Sequence, residues 1–147
     1  MPKLSSAAPT GAKTATIPYR VPFYDTDAMR VVHHARYVHY LELARIEYLD
    51  LHDRPYREYV SEGLHFAVTG LEVRYLQAAR YDDRLEVTCW LVWLKRVSLA
   101  IGYAVRRDGE LLATAVTEHA LVNDDGALVP IPAERRQRLA AALGTPS

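Results

Sequence analysis

Two carboxylates one residue apart, Asp25 and Asp27, stand in a short acidic stretch, and two adjacent imidazoles, His33 and His34, follow just before a helical pattern opens at about Arg36. The first turn of a helix carries unpaired N–H groups and a partial positive charge. Such donors can hold a carbonyl oxygen that becomes negative during acyl transfer. Asp27 precedes His34 by seven residues, so it can face that carbonyl from the other side, as nucleophile or as base for a water. One loop then supplies both halves of an ester- or thioester-cleaving site. The alternative for both aspartates is a loop-forming role, common for this residue type, and Asp25 is assigned that role, bonding the loop backbone. No metal or other cofactor is expected. His33, His34 and His39 lack the i, i+4 spacing with an intervening Glu of a zincin, and Cys89 is isolated.

The helix behind this loop carries Tyr37, Leu41, Ala44, Tyr48 and Leu51 on one face, widened by Val38 and Leu49, which predicts deep burial. Arg45 lies within the apolar arc and should meet a carboxylate, with Glu42 the nearest candidate. Before the loop, Ile17 to Tyr24 contains Pro18 and Pro22 and reads as an edge or irregular strand. Tyr56 to Val60 reads as an extra helical turn. After Gly63 the period becomes two: Leu64, Phe66 and Val68 share a face, then Leu71, Val73 and Tyr75, with a slip at Gly70 that marks a β-bulge.

Leu85 to Leu94 is apolar on both parities, as a central strand covered on two sides should be. On this alternation Trp90 and Trp93 fall on opposite faces. Val97 to Val105 is bulky on one parity and small on the other, at Ser98, Ala100, Gly102 and Ala104. The small stripe, matched by Ala113 and Ala115 on the next strand, reads as the side a helix approaches. Asp108-Gly109 signals a type I′ hairpin, His119 reads as an inward-facing core residue, and Ala133 to Leu143 as a short terminal helix. The class is α+β, one long helix against an antiparallel sheet.

The run DTDAMRVVHHARYVHYLELAR, with its D-x-D, the paired His positions and E-x-x-R on the helix, resembles the signature of hotdog-fold acyl-CoA thioesterases of the 4-hydroxybenzoyl-CoA thioesterase family. The resemblance extends from about Ile17 to Pro132. It implies a hotdog fold, a sheet wrapped around the long helix, and an enzyme that hydrolyses acyl-CoA or acyl-carrier-protein thioesters to acid and thiol. By resemblance, Asp27 is the nucleophile or general base and the backbone N–H of His34 polarises the thioester carbonyl. Lys95 and Arg96 match a basic cluster that binds coenzyme A phosphates. The family's sites lie between subunits, so a homodimer or homotetramer is expected, with residues around His65 to Gly70 of a second copy, His65 and Phe66 among them, lining the acyl pocket. The family's usual glycine falls here at Arg30. The loop is therefore expected to adopt a conformation that arginine accepts, leaving the guanidinium to meet Asp25 or an anionic substrate. A hotdog hydratase or dehydratase on acyl thioesters, and a non-catalytic acyl-thioester binder, are the rival readings.

Eighteen basic and eighteen acidic side chains cancel over 147 residues, which argues against broad nucleic-acid or anionic-membrane binding. A single cysteine suits a reducing compartment, no apolar run is long enough to span a bilayer, and no secretory signal opens the chain. Together these point to the cytoplasm. Residues 1–15 are small and polar and read as a disordered leader; residues 16–143 form one domain.

Overall fold

The computed structural model describes residues 1–145. Strand β1 (Thr14–Arg20) leads through a 3-10 turn at Phe23–Asp25 to helix α1 (Arg36–His52) and the short α2 (Tyr56–Ser61). Strands β2 (Leu64–Tyr75), β3 (Arg84–Leu94), β4 (Ser98–Arg107) and β5 (Glu110–Asn123) follow, then helix α3 (Ala133–Ala141). The sheet order is β1-β3-β4-β5-β2, and every neighbouring pair is antiparallel. This is the α+β arrangement implied by the resemblance, a single sheet curled around one long helix. Among the described residues no helix is long and apolar enough to cross a membrane.

Turn chemistry sets much of the register. Asp108 and Gly109 both have positive φ, 50° and 81°, as the type I′ turn joining β4 to β5 requires. The register of β2 on β5 slips between Val68 and Gly70, the bulge its glycine signalled. The proline-bearing β1 is indeed an edge strand.

Helix α1 buries Tyr37, Tyr40, Leu41, Ala44, Tyr48 and Leu49. Leu51, expected on that face, is 59% exposed. Its angle on the helix is right, but the last turn overhangs the sheet: His52 Nε2 already meets the carbonyl of Thr14, where β1 begins, at 2.7 Å. Val38, at the margin of the stripe, is also exposed.

The helix packs on the bulky side of β4, not the small one. Leu99, Ile101, Tyr103 and Val105 share the core with α1. Ala113 and Ala115 pair with Val105 and Tyr103, so these two alanines lie on the helix side, where their size admits the helix. The small stripe takes a different cover. A Cβ on Gly102 would stand 2.6 Å from Trp90 Nε1, so the Trp90 indole lies against the backbone there. A bulge between Leu91 and Trp93 sets Trp93 opposite Ala100 as Trp90 is opposite Gly102, and both tryptophans therefore share one face.

The first residues are not a free leader either. Strand β1 starts at Thr14, Ala15 is buried, the Met1 ammonium lies 3.4 Å from Glu118, and Arg106 donates to the Ser6 carbonyl at 2.8 Å. At the other edge, α1 lies over β1 and β3 rather than β2. The helix-facing residues Val68, Leu71 and Tyr75 of β2 are consequently 53%, 42% and 47% exposed.

Candidate active site

The acidic loop is a tight three-residue hairpin. Thr26 and Val32 form an isolated bridge, Asp27 N–H donates to the Val31 carbonyl at 3.0 Å, and Arg30 N–H donates to the Asp27 carbonyl at 2.9 Å. The third loop residue of such a turn is left-handed, and Arg30 has φ +65°. Arginine thus occupies the glycine conformation, contrary to the expected rearrangement, because the hairpin bonds on both sides dictate that φ. Its guanidinium makes no ion pair among the described residues, and Asp25 is already engaged elsewhere.

Asp25 is the anchor. It is 1% exposed, and its Oδ2 accepts from the Tyr19 hydroxyl at 2.7 Å and the Tyr40 hydroxyl at 2.5 Å. Arg36 Nε lies 3.6 Å from Oδ1, and the Asp25 carbonyl accepts from His33 N–H at 2.9 Å. Its side chain therefore ties the loop to β1 and α1 rather than to the loop backbone. Burial and the bond to Asp25 push the Tyr19 hydroxyl up to about 12, and the same two causes raise Tyr40 further.

Asp27 is held differently. Its Oδ1 accepts from Met29 N–H at 2.8 Å, while Oδ2 has no hydrogen bond among the described residues. It faces a cleft of about 320 Å³ whose walls include Val32, His34, Tyr37, Tyr75 and Gln77. On the other wall α1 begins at Ala35, which supplies no side-chain cap. Ala35 N–H turns to His33 Nδ1 at 3.1 Å, the His33 and His34 rings stack with centroids 4.2 Å apart, and the His34 N–H has no acceptor among the described residues. The Tyr75 hydroxyl donates to the His34 carbonyl at 2.7 Å and Tyr37 meets the Tyr75 ring edge-on at 5.0 Å. Sequence reasoning missed Tyr75; its place at the end of an apolar parity, as the stripe's only hydroxyl, was the available signal.

The structure brings Asp27 and His34 to one cleft and leaves the other predicted residues at the far end of the sheet. The cleft adjoins Tyr75, whereas His65 and Phe66 follow Leu64, the other end of β2, about 36 Å away at ~3.3 Å per residue. His65 Nε2 meets Asp124 at 2.7 Å. Phe66 is buried, its ring 5.2 Å from that of Tyr59. Lys95 and Arg96 form the β3–β4 turn, closed by Lys95 N–H to the Ser98 carbonyl at 2.8 Å. The Lys95 ammonium sits 4.4 Å over the Trp93 ring, and Lys95, Arg96 and Arg136 of α3 line a groove of about 510 Å³. Arg45 meets Glu42 at 3.7 Å as its helix position implied, and His119 is fully buried. Among the described residues no three His, Cys, Asp or Glu side chains gather as a metal site.

A family profile described as the thioesterase-like superfamily matches residues 21–142. The acyl-CoA thioesterase YbgC of Haemophilus influenzae is 35% identical over 117 residues, 79% of this chain and 85% of that protein. The crystal structure of the hypothetical protein TT1821 from Thermus thermophilus superposes with a TM-score of 0.84 at 31% identity, covering 87% of this chain and 98% of that one. A DHNA-CoA thioesterase from Staphylococcus aureus superposes at 0.77 with 26% identity, over 83% and 82% of the two chains.

Proposed function

The chain belongs to the thioesterase-like superfamily as a thioester hydrolase of hotdog fold, and from that premise we propose that it is an acyl-CoA thioesterase worked by Asp27 and the start of α1. The carbonyl of the thioester lies between the free Oδ2 of Asp27 and the unpaired N–H of His34. Asp27 attacks that carbon, or takes a proton from a water that does, and the negative charge on the carbonyl oxygen falls to the His34 amide and the positive end of the helix. The C–S bond then breaks and the thiolate takes up a proton, from Asp27 on the water route and from solvent on the nucleophilic one, where a water afterwards cleaves the acyl–Asp27 anhydride to release the acid. One observation carries this reading: a carboxylate with one oxygen held and one free lines the same cleft as an uncapped helix start.

The separation of the remaining site residues supports a dimer. β2 is the last strand of the sheet, and its unpaired edge is a template for a second copy. Antiparallel pairing of two β2 edges sets the Tyr75 end of one copy against the Leu64 end of the other. His65 and Phe66 then approach the opposite copy's cleft, and Lys95 and Arg96 come from that same end to meet coenzyme A phosphates, as cations suited to that task. A dimer of such dimers remains compatible with the exposed outer face of α1. The one cysteine is free and buried, as suits a cytoplasmic enzyme.

Incubating the purified protein with a panel of acyl-CoAs and a thiol-reactive dye tests the activity. Stoichiometric thiol release is expected. Loss of double-bond absorbance without thiol would instead mark a hydratase, and binding without turnover a carrier module.

A further inference from the structure

A second cavity, more enclosed and about 60 Å³ in volume, lies between α1 and the Leu64 end of the sheet. It has room for about two waters at ~30 Å³ each. Ile46, Leu49 and Phe66 give it apolar walls, and its polar groups are Arg45, Glu42, His119 and Tyr56, whose hydroxyl accepts from Phe66 N–H at 2.9 Å. A chain of hydrogen bonds leads from Arg45 to His119. Arg45 Nη1 can only donate, so the Tyr103 hydroxyl accepts from it at 3.4 Å. Tyr103 is then free to donate onward to Thr117 Oγ1 at 2.6 Å, and Thr117 to His119 Nε2 at 2.7 Å, the arrangement in which every hydroxyl proton of the chain is used.

With Nε2 an acceptor, the neutral ring carries its proton on Nδ1. Neutrality follows from burial and from the Arg45 charge, which bring the His119 pKa down to about 3. Nδ1 has no partner within hydrogen-bond geometry, the nearby Phe66 carbonyl included, and the residue is 0% exposed. Arg45 is equally underused: beyond its long bond to Tyr103 and Glu42 at 3.7 Å, its donors have no partner among the described residues. Buried donors without acceptors are rare enough to call for an occupant.

The β2 face between the two cavities is apolar. Val68, Leu71 and Tyr75 pair with His119, Thr117 and Ala113 on the helix side, yet all three are exposed. Tyr75 lines the Asp27 cleft and Val68 pairs with His119 of the cavity, with Leu71 between them on the same strand face; from His34 to Arg45 along α1 is about 16 Å at ~1.5 Å per residue. We propose that this cavity is the far end of the acyl site and selects acyl thioesters whose chain ends in an oxygen acceptor, a carboxylate or a hydroxyl. The inference rests on the thioesterase reading. A carboxylate end takes Arg45 from Glu42, whereas a hydroxyl end accepts from His119 Nδ1 and leaves that ion pair in place.

The test is kcat/KM on CoA thioesters with methyl, ω-hydroxy and ω-carboxy ends, matched in length and stepped along the path. At one chain length the carboxylate-ended substrate should lead the methyl-ended one by at least about tenfold, as charge-assisted bonds in a dry site do, and the hydroxyl-ended one should lead it by less, because neutral His119 offers an uncharged bond. Arg45→Met should bring the carboxy-to-methyl ratio close to one. Glu42→Gln, at a side chain 65% exposed and so safe for folding, should raise that ratio several-fold by freeing Arg45, and it carries the test if Arg45→Met does not fold. Methyl-ended chains hydrolysed as well as the oxygen-ended ones at every length would overturn the subsite and leave the hydrolase reading intact. No thiol release from any substrate would overturn both.

Discussion

The two ends of α1 are built from the same parts and put to different use. Before the helix, buried Asp25 is held by the hydroxyls of Tyr19 and Tyr40 with Arg36 at 3.6 Å. After it, buried Asp53 is held by the Tyr59 hydroxyl at 2.6 Å with Arg135 at 3.6 Å. Both are aspartate–tyrosine–arginine knots that fix where the helix starts and stops. At the far end the knot is sealed: the Arg135 side chain is 4% exposed and its guanidinium lies 3.8 Å over the Tyr59 ring. Asp53 Oδ1 lacks a hydrogen bond there, but the side chain is 0% exposed. At the near end a second carboxylate, Asp27, follows the anchored one and turns a free oxygen to a cleft. A buried carboxylate fastens the chain, and a neighbour held by one oxygen only is available for chemistry.

Breaking that distinction should have its largest effect at Asp27. Asp27→Asn should lose about 10²- to 10⁴-fold in turnover, the usual worth of a positioned acid–base group, with a melting temperature near that of the parent. Asp25→Asn should show the reverse, a stability loss of about 1.5–3 kcal/mol from weakened bonds to a charged acceptor and a smaller change in turnover. Steady-state rates beside urea midpoints separate the two, and an Asp27 variant with parental turnover would remove the distinction.

The sealed knot should fail by folding alone. Arg135→Met leaves Asp53 uncompensated and should cost about 3 kcal/mol, the lower end for breaking a buried pair. The kcat per folded molecule should stay within about twofold, since no residue of α3 lines the Asp27 cleft and the helix borders only the Lys95–Arg96 groove. The open knot also carries a signature in alkali. Tyr19 ionises near 10 when unfolded and at about 12 when folded. Between those values the unfolded chain has lost a proton that the folded one keeps, so stability falls as pH rises through this window and levels off above it. Tyr19→Phe should flatten part of that decline in denaturant midpoints.

The smallest effect lies at the turn between the two aspartates. Arg30 holds φ +65° without a compensating contact, so Arg30→Gly should stabilise the protein by about 1 kcal/mol and leave kcat unchanged. A destabilised glycine variant with a raised KM would mean that the guanidinium meets substrate after all.

The fold was readable where periodicity is local. Helix α1, the Gly70 bulge and the Asp108-Gly109 hairpin follow from spacing and turn residues. Period two, however, gives the parity of a strand and not which parity meets the helix, and the small stripe of β4 was assigned to the wrong side. The bulge at Val92 has no glycine to mark it, so Trp93 was put on the wrong face. Asp27 and His34 could be placed in one cleft because only seven residues of chain separate them. The tyrosines that anchor Asp25 belong to two different elements, and the distance from Asp27 to Lys95 depends on strand order, so neither was written in local spacing.

One contact at the far end of the sheet gives the protein a built-in optical gauge. Trp90, sealed against Gly102, emits as an indole in a dry setting whatever happens at the β3–β4 turn. Trp93, with the Lys95 ammonium 4.4 Å over its ring, is the indole whose surroundings change when an anion draws that ammonium away. Emission of the unlabelled protein therefore divides into a constant background and a component that follows charge at Lys95, and titrating it with a nucleotide tests, without turnover, the proposed docking of coenzyme A phosphates at the turn.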